Sequence, residues 1–261
     1  ISNEDQRGEV MVRFVSCVEI DGSFLLATKY CDRGEGVTLP PNPTPPNEFL
    51  QFVGWTHSFT DLENLQHDID VGAIFETKSG ITYAFLSIGG VNPMNTSLYL
   101  TVSGSTVRID WGDGTYETAE TTREYPHTYE EPGEYIVKLI RMIDTGTYTL
   151  GGNTAATGFV SKGTSSEYRY QLTKIYMSKL GMTTTMRQFV FGYNMALKEV
   201  VFSPDLRLLG QFILRSCYQL KSIVVPPSVT GGGGTSFGYS YGIEYIVGPP
   251  TIDTGNAGIY A

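Results

Sequence analysis

From Leu172 to Gly248 one line of sequence is written four times: LTKIYM begins at Leu172, LKEVVF at Leu197, LKSIVV at Leu220 and IEYIVG at Ile243. The heads are 25, 23 and 23 residues apart. A fixed period of this size, built on short β-branched segments, predicts a solenoid, because one unit cannot bury its own apolar face and must stack on its neighbours. Phe191, Leu214 and Phe237 recur six residues before the next head, and the small or polar Asn194, Cys217 and Ser240 three before it.

Side chains alternate between the faces of a strand. If Ile175, Val200, Ile223 and Ile246 point inward, Tyr176, Val201, Val224 and Val247 form an outer column, with Lys174, Glu199, Ser222 and Tyr245 as a second column beside it. An apolar ladder on a solenoid sheet is a candidate ligand-binding face for protein or glycan. Strand preference for β-branched residues accounts for the same pattern without a ligand. Nine of the 17 tyrosines follow Phe159, which favours the binding reading because tyrosine is enriched at interfaces.

The remaining composition bounds the function. At 261 residues the chain accommodates two or three domains. Hydrophobic residues make up 41% and charged residues 17%, a globular balance. A net charge of −9 is opposite to a nucleic-acid footprint, so no nucleic-acid partner is expected. No apolar run reaches the roughly 18 residues a membrane span needs. Starting at Ile1 without Met or a basic-then-apolar leader, the chain reads as a processed or recombinant portion of something longer. Cys17, Cys31 and Cys217 make no closed disulfide framework. With Asp21-Gly22 as a two-residue hairpin turn, Cys17 faces Leu26 and Cys31 lies about 17 Å further along, which disfavours a bridge.

Ahead of the repeat, ISNEDQRGE is a polar tail, and VMVRFV through SFLLATKYC reads as a hairpin about Asp21-Gly22. VTLPPNPTPPNEF, with five prolines, must be an extended connection. Then come FVGW at Phe52 to Trp55 and an alternating strand ending near Glu76. VRFV, Asp21-Gly22, the crossover through Pro43, FVGW and the closing Asp70-Val71 with Ala73 and Phe75 resemble the B-repeat of internalins, a β-grasp-like module of bacterial surface proteins. DRGEG stands where that family usually has a Tyr-Gly pair.

SLYLTV, STVRIDW and GEYIVKLIRM are alternating strands bounded by turn residues, the pattern of a β-sandwich. WGDGT at Trp111 to Thr115, HTY at His127 to Tyr129 and EPGEY at Glu131 to Tyr135 resemble the PKD domain, an immunoglobulin-like fold. The glycines supply the positive φ of a tight turn and Trp111 a large apolar side chain for the core. The Gly/Ser/Thr-rich segment 146–169 is either a linker or a degenerate first coil. The repeat itself, clearest in LKSIVVPPSVTGGGG from Leu220 to Gly234, resembles the BspA-type leucine-rich repeat, although Gly231 to Gly234 replace the usual apolar residue after the turn. The final line stops 18 residues past Ile243, as an irregular cap or a cut unit whose edge is open to pairing.

No catalytic constellation is expected. His57, His67 and His127 have no metal-ligand spacing and no partner nucleophile motif, and His127 reads as a hydrogen-bonding anchor for its strand. Asp110, Asp113 and Glu117 are open to two accounts, a calcium site or turn carboxylates bonded to nearby amides. The GGGG run is not a phosphate cradle, since neither Lys-Ser/Thr nor a helix follows. The expected architecture is mainly β: a B-repeat-like β-grasp module over 1–78, a PKD-like sandwich over 79–145 and a leucine-rich repeat solenoid over 146–261. These resemblances imply a non-enzymatic bacterial surface or secreted protein for adhesion or ligand capture, without cofactor or metal. A phage virion protein and the accessory part of a secreted enzyme are the alternatives.

Overall fold

The structure, a computed structural model, describes residues 8–89, 94–160, 167–179, 182–232, 235–250 and 252. The polar start of the chain, Gly233-Gly234 and the expected cap lie outside these residues. The fold is mainly β, with several sheets and, among the described residues, no closed barrel. Among the described residues no helix is long and apolar enough to cross a membrane.

The first sheet holds β1 (Glu9–Ile20), β2 (Ser23–Asp32), β3 (Leu50–Trp55) and β4 (Ile69–Thr77) in the order β2-β1-β4-β3. Its central pair β1/β4 is parallel and both outer pairs are antiparallel. A parallel pair needs a long crossover. The proline stretch forms part of it in extended form, since proline lacks the donor that a ladder needs. Asp21-Gly22 is the hairpin turn, with positive φ at both residues and Ile20 opposite Ser23. Bulges then shift the register so that Val15 faces Leu25 and Cys31 faces Val10, correcting the unbroken pairing that would set Cys17 against Leu26. All three cysteines are free.

Seven strands follow: β5 (Thr82–Ile88), β6 (Asn95–Ser103), β7 (Val107–Asp110), β8 (Tyr116–Ala119), β9 (Arg123–Thr128), β10 (Gly133–Arg141) and β11 (Thr147–Leu150). They divide between two sheets, β5-β10-β7-β8 and β11-β6-β9, whose apolar faces share one core. β11 pairs with β6, so the expected boundary at 145/146 falls inside this body, and segment 146–169 is not a linker throughout.

The repeats supply β12 (Leu172–Tyr176), β13 (Glu199–Val201), β14 (Leu208–Leu209), β15 (Ser222–Val224), β16 (Gly231–Gly232) and β17 (Tyr245–Val247). The pairs β12/β13, β14/β16 and β15/β17 are parallel, joining Lys174 to Glu199, Leu208 to Gly231 and Ser222 to Tyr245. Successive turns of the chain therefore stack as coils. β12 also pairs with β5, which fuses the coils to the edge of the larger sheet. Ile175, Val200 and Ile223 point inward, and the core they enter is continuous with that of the two sheets. Phe191, Leu214 and Phe237 are fully buried in it. Asn194, Cys217 and Ser240 form a buried polar ladder beneath the turns: Ser240 Oγ donates to Leu214 O at 2.6 Å and accepts from Cys217 N at 3.0 Å.

Candidate functional site

The two columns expected on the outer face of the coils are brought together, but all of their residues except Lys174 and Tyr245 are buried. Tyr176, Val201, Val224 and Val247 are each less than 5% exposed and pack with Val15, Cys17, Leu50, Ala73 and Phe75 of the first sheet. The physical reason is that this four-stranded sheet has an apolar face of its own, and the two faces bury each other. Gly72 permits the approach, because a Cβ built there would lie 2.6 Å from Val224 Cγ1.

The second column makes the polar part of the same seam. Glu199, itself buried, accepts from Lys174 Nζ at 3.0 Å and from Tyr176 Oη at 2.5 Å. Asn47 Nδ2 donates to Tyr176 Oη at 3.3 Å, and burial followed by the charge of Glu199 pushes that hydroxyl's pKa up. Arg13 pairs with Asp70 at 2.7 Å and lies 5.1 Å over the Tyr245 ring. Ser222 is buried too. Tyr176, Val201, Val224, Val247, Glu199 and Ser222 are thus buried, which corrects their expected exposure, while Lys174 and Tyr245 stay partly exposed at the margin of the seam.

The coils carry a different open surface on the turns that lead into each head strand. Tyr170, Met195, Tyr218 and Tyr241 stand two residues before the four heads, and the three tyrosines are 61%, 43% and 62% exposed. Beside them the chain adopts a left-handed conformation twice in each coil, at Phe189, Phe212 and Thr235 and again at Tyr193, Ser216 and Tyr239. The repetition at 23-residue spacing shows that the turn itself demands positive φ. Glycine or asparagine would relax there, whereas Phe189, Tyr193, Phe212 and Tyr239 hold aromatic side chains at φ of 57° to 67°.

Those rings are interleaved with arginines. Phe189 stacks on Phe212 with centroids 4.8 Å apart. The Tyr193 ring lies between the guanidinium groups of Arg169 at 5.3 Å and Arg215 at 5.8 Å, and Arg215 also reaches Tyr239 at 4.7 Å. Along the stack the order is Arg169, Tyr193, Arg215, Tyr239, one residue from each successive turn. Cation–π contact holds each guanidinium over a ring, and the Nε of Arg169 and of Arg215 is buried without a hydrogen-bond partner. Four of the tyrosines after Phe159 that prompted the expectation of an interface, Tyr170, Tyr218, Tyr239 and Tyr241, lie exposed on these turns. The face could have been found from the segment 167–248, which has eight Lys and Arg against four Asp and Glu inside a chain of net charge −9. A separate open trough of about 810 Å³ runs along β14 and β16, lined by Asn153, Arg187, Gln188, Leu208 and Gln211 among others.

The remaining candidates are occupied by structure. Asp113 accepts from Thr115 N and Oγ1 at 2.9 and 2.7 Å and contacts His127 Nε2 at 2.7 Å, while Asp110 accepts from Gly112 N. Glu117 approaches Arg123 at 3.6 Å. These partners fit the turn-carboxylate account of the three acids. His127 stacks flat on Trp111 at 4.6 Å, as an anchor between strand and turn. Cys17 has its pKa pushed up to about 12 by burial, with Glu199 adding to the shift, and the buried Cys217 is raised as well, so neither is a ready thiolate.

Protein-family models, curated proteins and solved structures give no significant match to this chain.

Proposed function

We propose that this is a non-enzymatic adhesion or ligand-capture protein, of the kind bacteria display on the cell surface or secrete, and that it binds through the aromatic–arginine face of its coils. One observation carries the reading: aromatic side chains occupy left-handed positions where they cost backbone energy, and their rings lie partly or largely open to solvent. Strain retained in an orderly array is a reason to look for function at that array. Tyrosine and arginine are also the side chains that most often dominate binding energy.

The modular reading adds support. The order β2-β1-β4-β3 about a parallel central pair suits a β-grasp-like B-repeat whose helix is replaced by the proline crossover. The cluster of Trp111 stacked on His127, with Tyr129 edge-on to that ring, suits a PKD-like, immunoglobulin-like domain. Parallel strands 23 to 25 residues apart suit leucine-rich repeat coils. In this reading the first two parts brace the coils and the partner is a surface protein or glycan of a host or a neighbouring microbe.

The test is a glycan and extracellular-matrix protein array probed with the purified chain and with a Tyr193→Ser/Tyr239→Asn variant. We expect a ligand whose signal falls at least about tenfold in the variant, with an unchanged or higher melting temperature because asparagine tolerates the left-handed turn and serine already occupies the equivalent position at Ser216. Absence of any ligand, or full binding by the variant, would falsify the reading.

A further inference from the structure

The trough along β14 and β16 shares no lining residue with the aromatic–arginine face, and it lies where the repeat breaks its own pattern. We infer that it is a second binding site, for an extended peptide segment that brings a carboxylate to Arg187 and an aliphatic side chain to Leu208.

Glycine opens the trough. Thr185, Leu208 and Gly231 are in register from coil to coil, as are Leu209 and Gly232, so two glycines stand where the preceding coil has two leucines. The backbone does not demand them. Neither has a positive φ, and a Cβ built on either would meet a carbon of Leu208 or Leu209 at 3.5 Å, an ordinary contact. Gly210 differs: a Cβ there would lie 2.2 Å from Arg187 O, so the stacking of coils requires it. Bare backbone at 231 and 232, with no packing reason for it, leaves room for another chain to approach closely. The resulting space of about 810 Å³ is of the size that ligand pockets have.

The lining selects the occupant. Arg187 is half-buried, and among the described residues its guanidinium has no ion pair, hydrogen bond or ring contact. Arg13 and Arg123, by contrast, face carboxylates, Arg207 a backbone carbonyl and Arg108 a ring. None of its nitrogens is a buried unpartnered atom, unlike the Nε of Arg169 and Arg215. No acid lines the trough, so the fork of Arg187 is open to a carboxylate and a cationic ligand finds no counter-ion. No aromatic residue lines it either, so neither a sugar nor a base finds a ring to stack on. What remains suits a peptide. Gln188 and Gln211, one coil apart, and Asn153 carry amides that both donate and accept, as a peptide backbone requires. Leu208, 44% exposed, offers the apolar contact. An extended segment meets all of these at once, with its backbone on the amides and the bare glycines. Its carboxylate is that of an Asp or Glu side chain or of a free C-terminus.

Affinity selection on the full chain from two heptapeptide libraries, one with free C-termini and one amidated, tests this, with fluorescence anisotropy of the selected peptides. We expect the enriched peptides to join Val, Ile or Leu to a carboxylate. Enrichment from the free library alone assigns the terminal carboxylate, and enrichment from both assigns the side chain. Affinity should fall at least about tenfold in Arg187→Gln, which keeps donors but loses the charged fork. It should fall as far in Gly231→Leu, which restores the leucine of the preceding coil and fills the trough, with a melting temperature unchanged or higher. The Tyr193→Ser/Tyr239→Asn variant should bind these peptides as the parent chain does. The inference is overturned if neither library yields a peptide, if the enriched peptides carry no carboxylate, or if they bind Arg187→Gln or Gly231→Leu with full affinity. An array ligand that is lost in the tyrosine variant and kept in Gly231→Leu leaves the aromatic–arginine face standing whatever the peptides do, so the two readings fail separately.

Discussion

The carboxylate of Asp113 concentrates several bonds into one turn. Burial alone would raise its pKa, but donors from Thr115 and the contact with His127 outweigh it and hold the carboxyl below its ordinary range. A group whose pKa is lower folded than unfolded adds stability above the unfolded value, near pH 4, and loses it as pH falls through the folded value. Asp113→Asn should therefore lower stability at pH 7 and flatten the decline below about pH 4, as measured by urea denaturation across that range; an acid limb of unchanged slope would contradict the role. At this scale the sequence was partly legible. WGDGT and HTY marked a tight turn and a hydrogen-bonding histidine, because Gly112 and Gly114 require left-handed φ and a histidine at a strand entry seeks an acceptor, whereas the stacking of His127 on Trp111 was not foreseen. The left-handed turns at Phe189, Tyr193, Phe212 and Tyr239 left no such mark, since the residues there are not the ones that prefer that conformation.

At the scale of elements, the contact between β4 and the coil strands is the least forgiving. Gly72 faces Val224 so closely that a methyl group has no room. Gly72→Ala should cost about 1–3 kcal/mol through overpacking, and shortening the opposed side chain with Val224→Ala should relieve part of it. A double-mutant cycle by chemical denaturation should return a favourable coupling of about 1 kcal/mol; strictly additive losses would mean that the two surfaces do not meet there. The inward and outward faces of the coil strands could be read from alternation alone. What covers the outward face could not, because Tyr176, Val201, Val224 and Val247 have the same composition whether they meet a ligand, solvent or another sheet. The bulges in β1 escaped for a similar reason: they are set by twist and packing, and the local sequence looks like an unbroken hairpin.

For the whole molecule, no apolar core among the described residues belongs to the coils alone. One is shared with the two facing sheets across β5 and β12, and the other is the seam with the first sheet. Unfolding should accordingly be a single cooperative event, although chains of this length often unfold in stages. The two tryptophans allow a direct check, since Trp55 lies in the first sheet and Trp111 between the other two. Trp55→Phe and Trp111→Phe variants, each followed by the fluorescence of the remaining tryptophan, should melt with coincident midpoints, and separate transitions would count against the shared core. The period of the repeats made stacking legible in the sequence. The fusion of parts did not show, because it depends on which edge of β5 stays open and on an apolar face turned toward a distant segment. The notch at Gly72 also limits how such a chain can grow. Repeat arrays lengthen by duplicating a unit, but a 23-residue insertion between Val201 and Val224 would carry Val224 about 4.8 Å away from its slot and leave a stranger facing the glycine. A unit added after Val224 leaves that valine in its slot, so the stack can be extended there while its braced end keeps a fixed length.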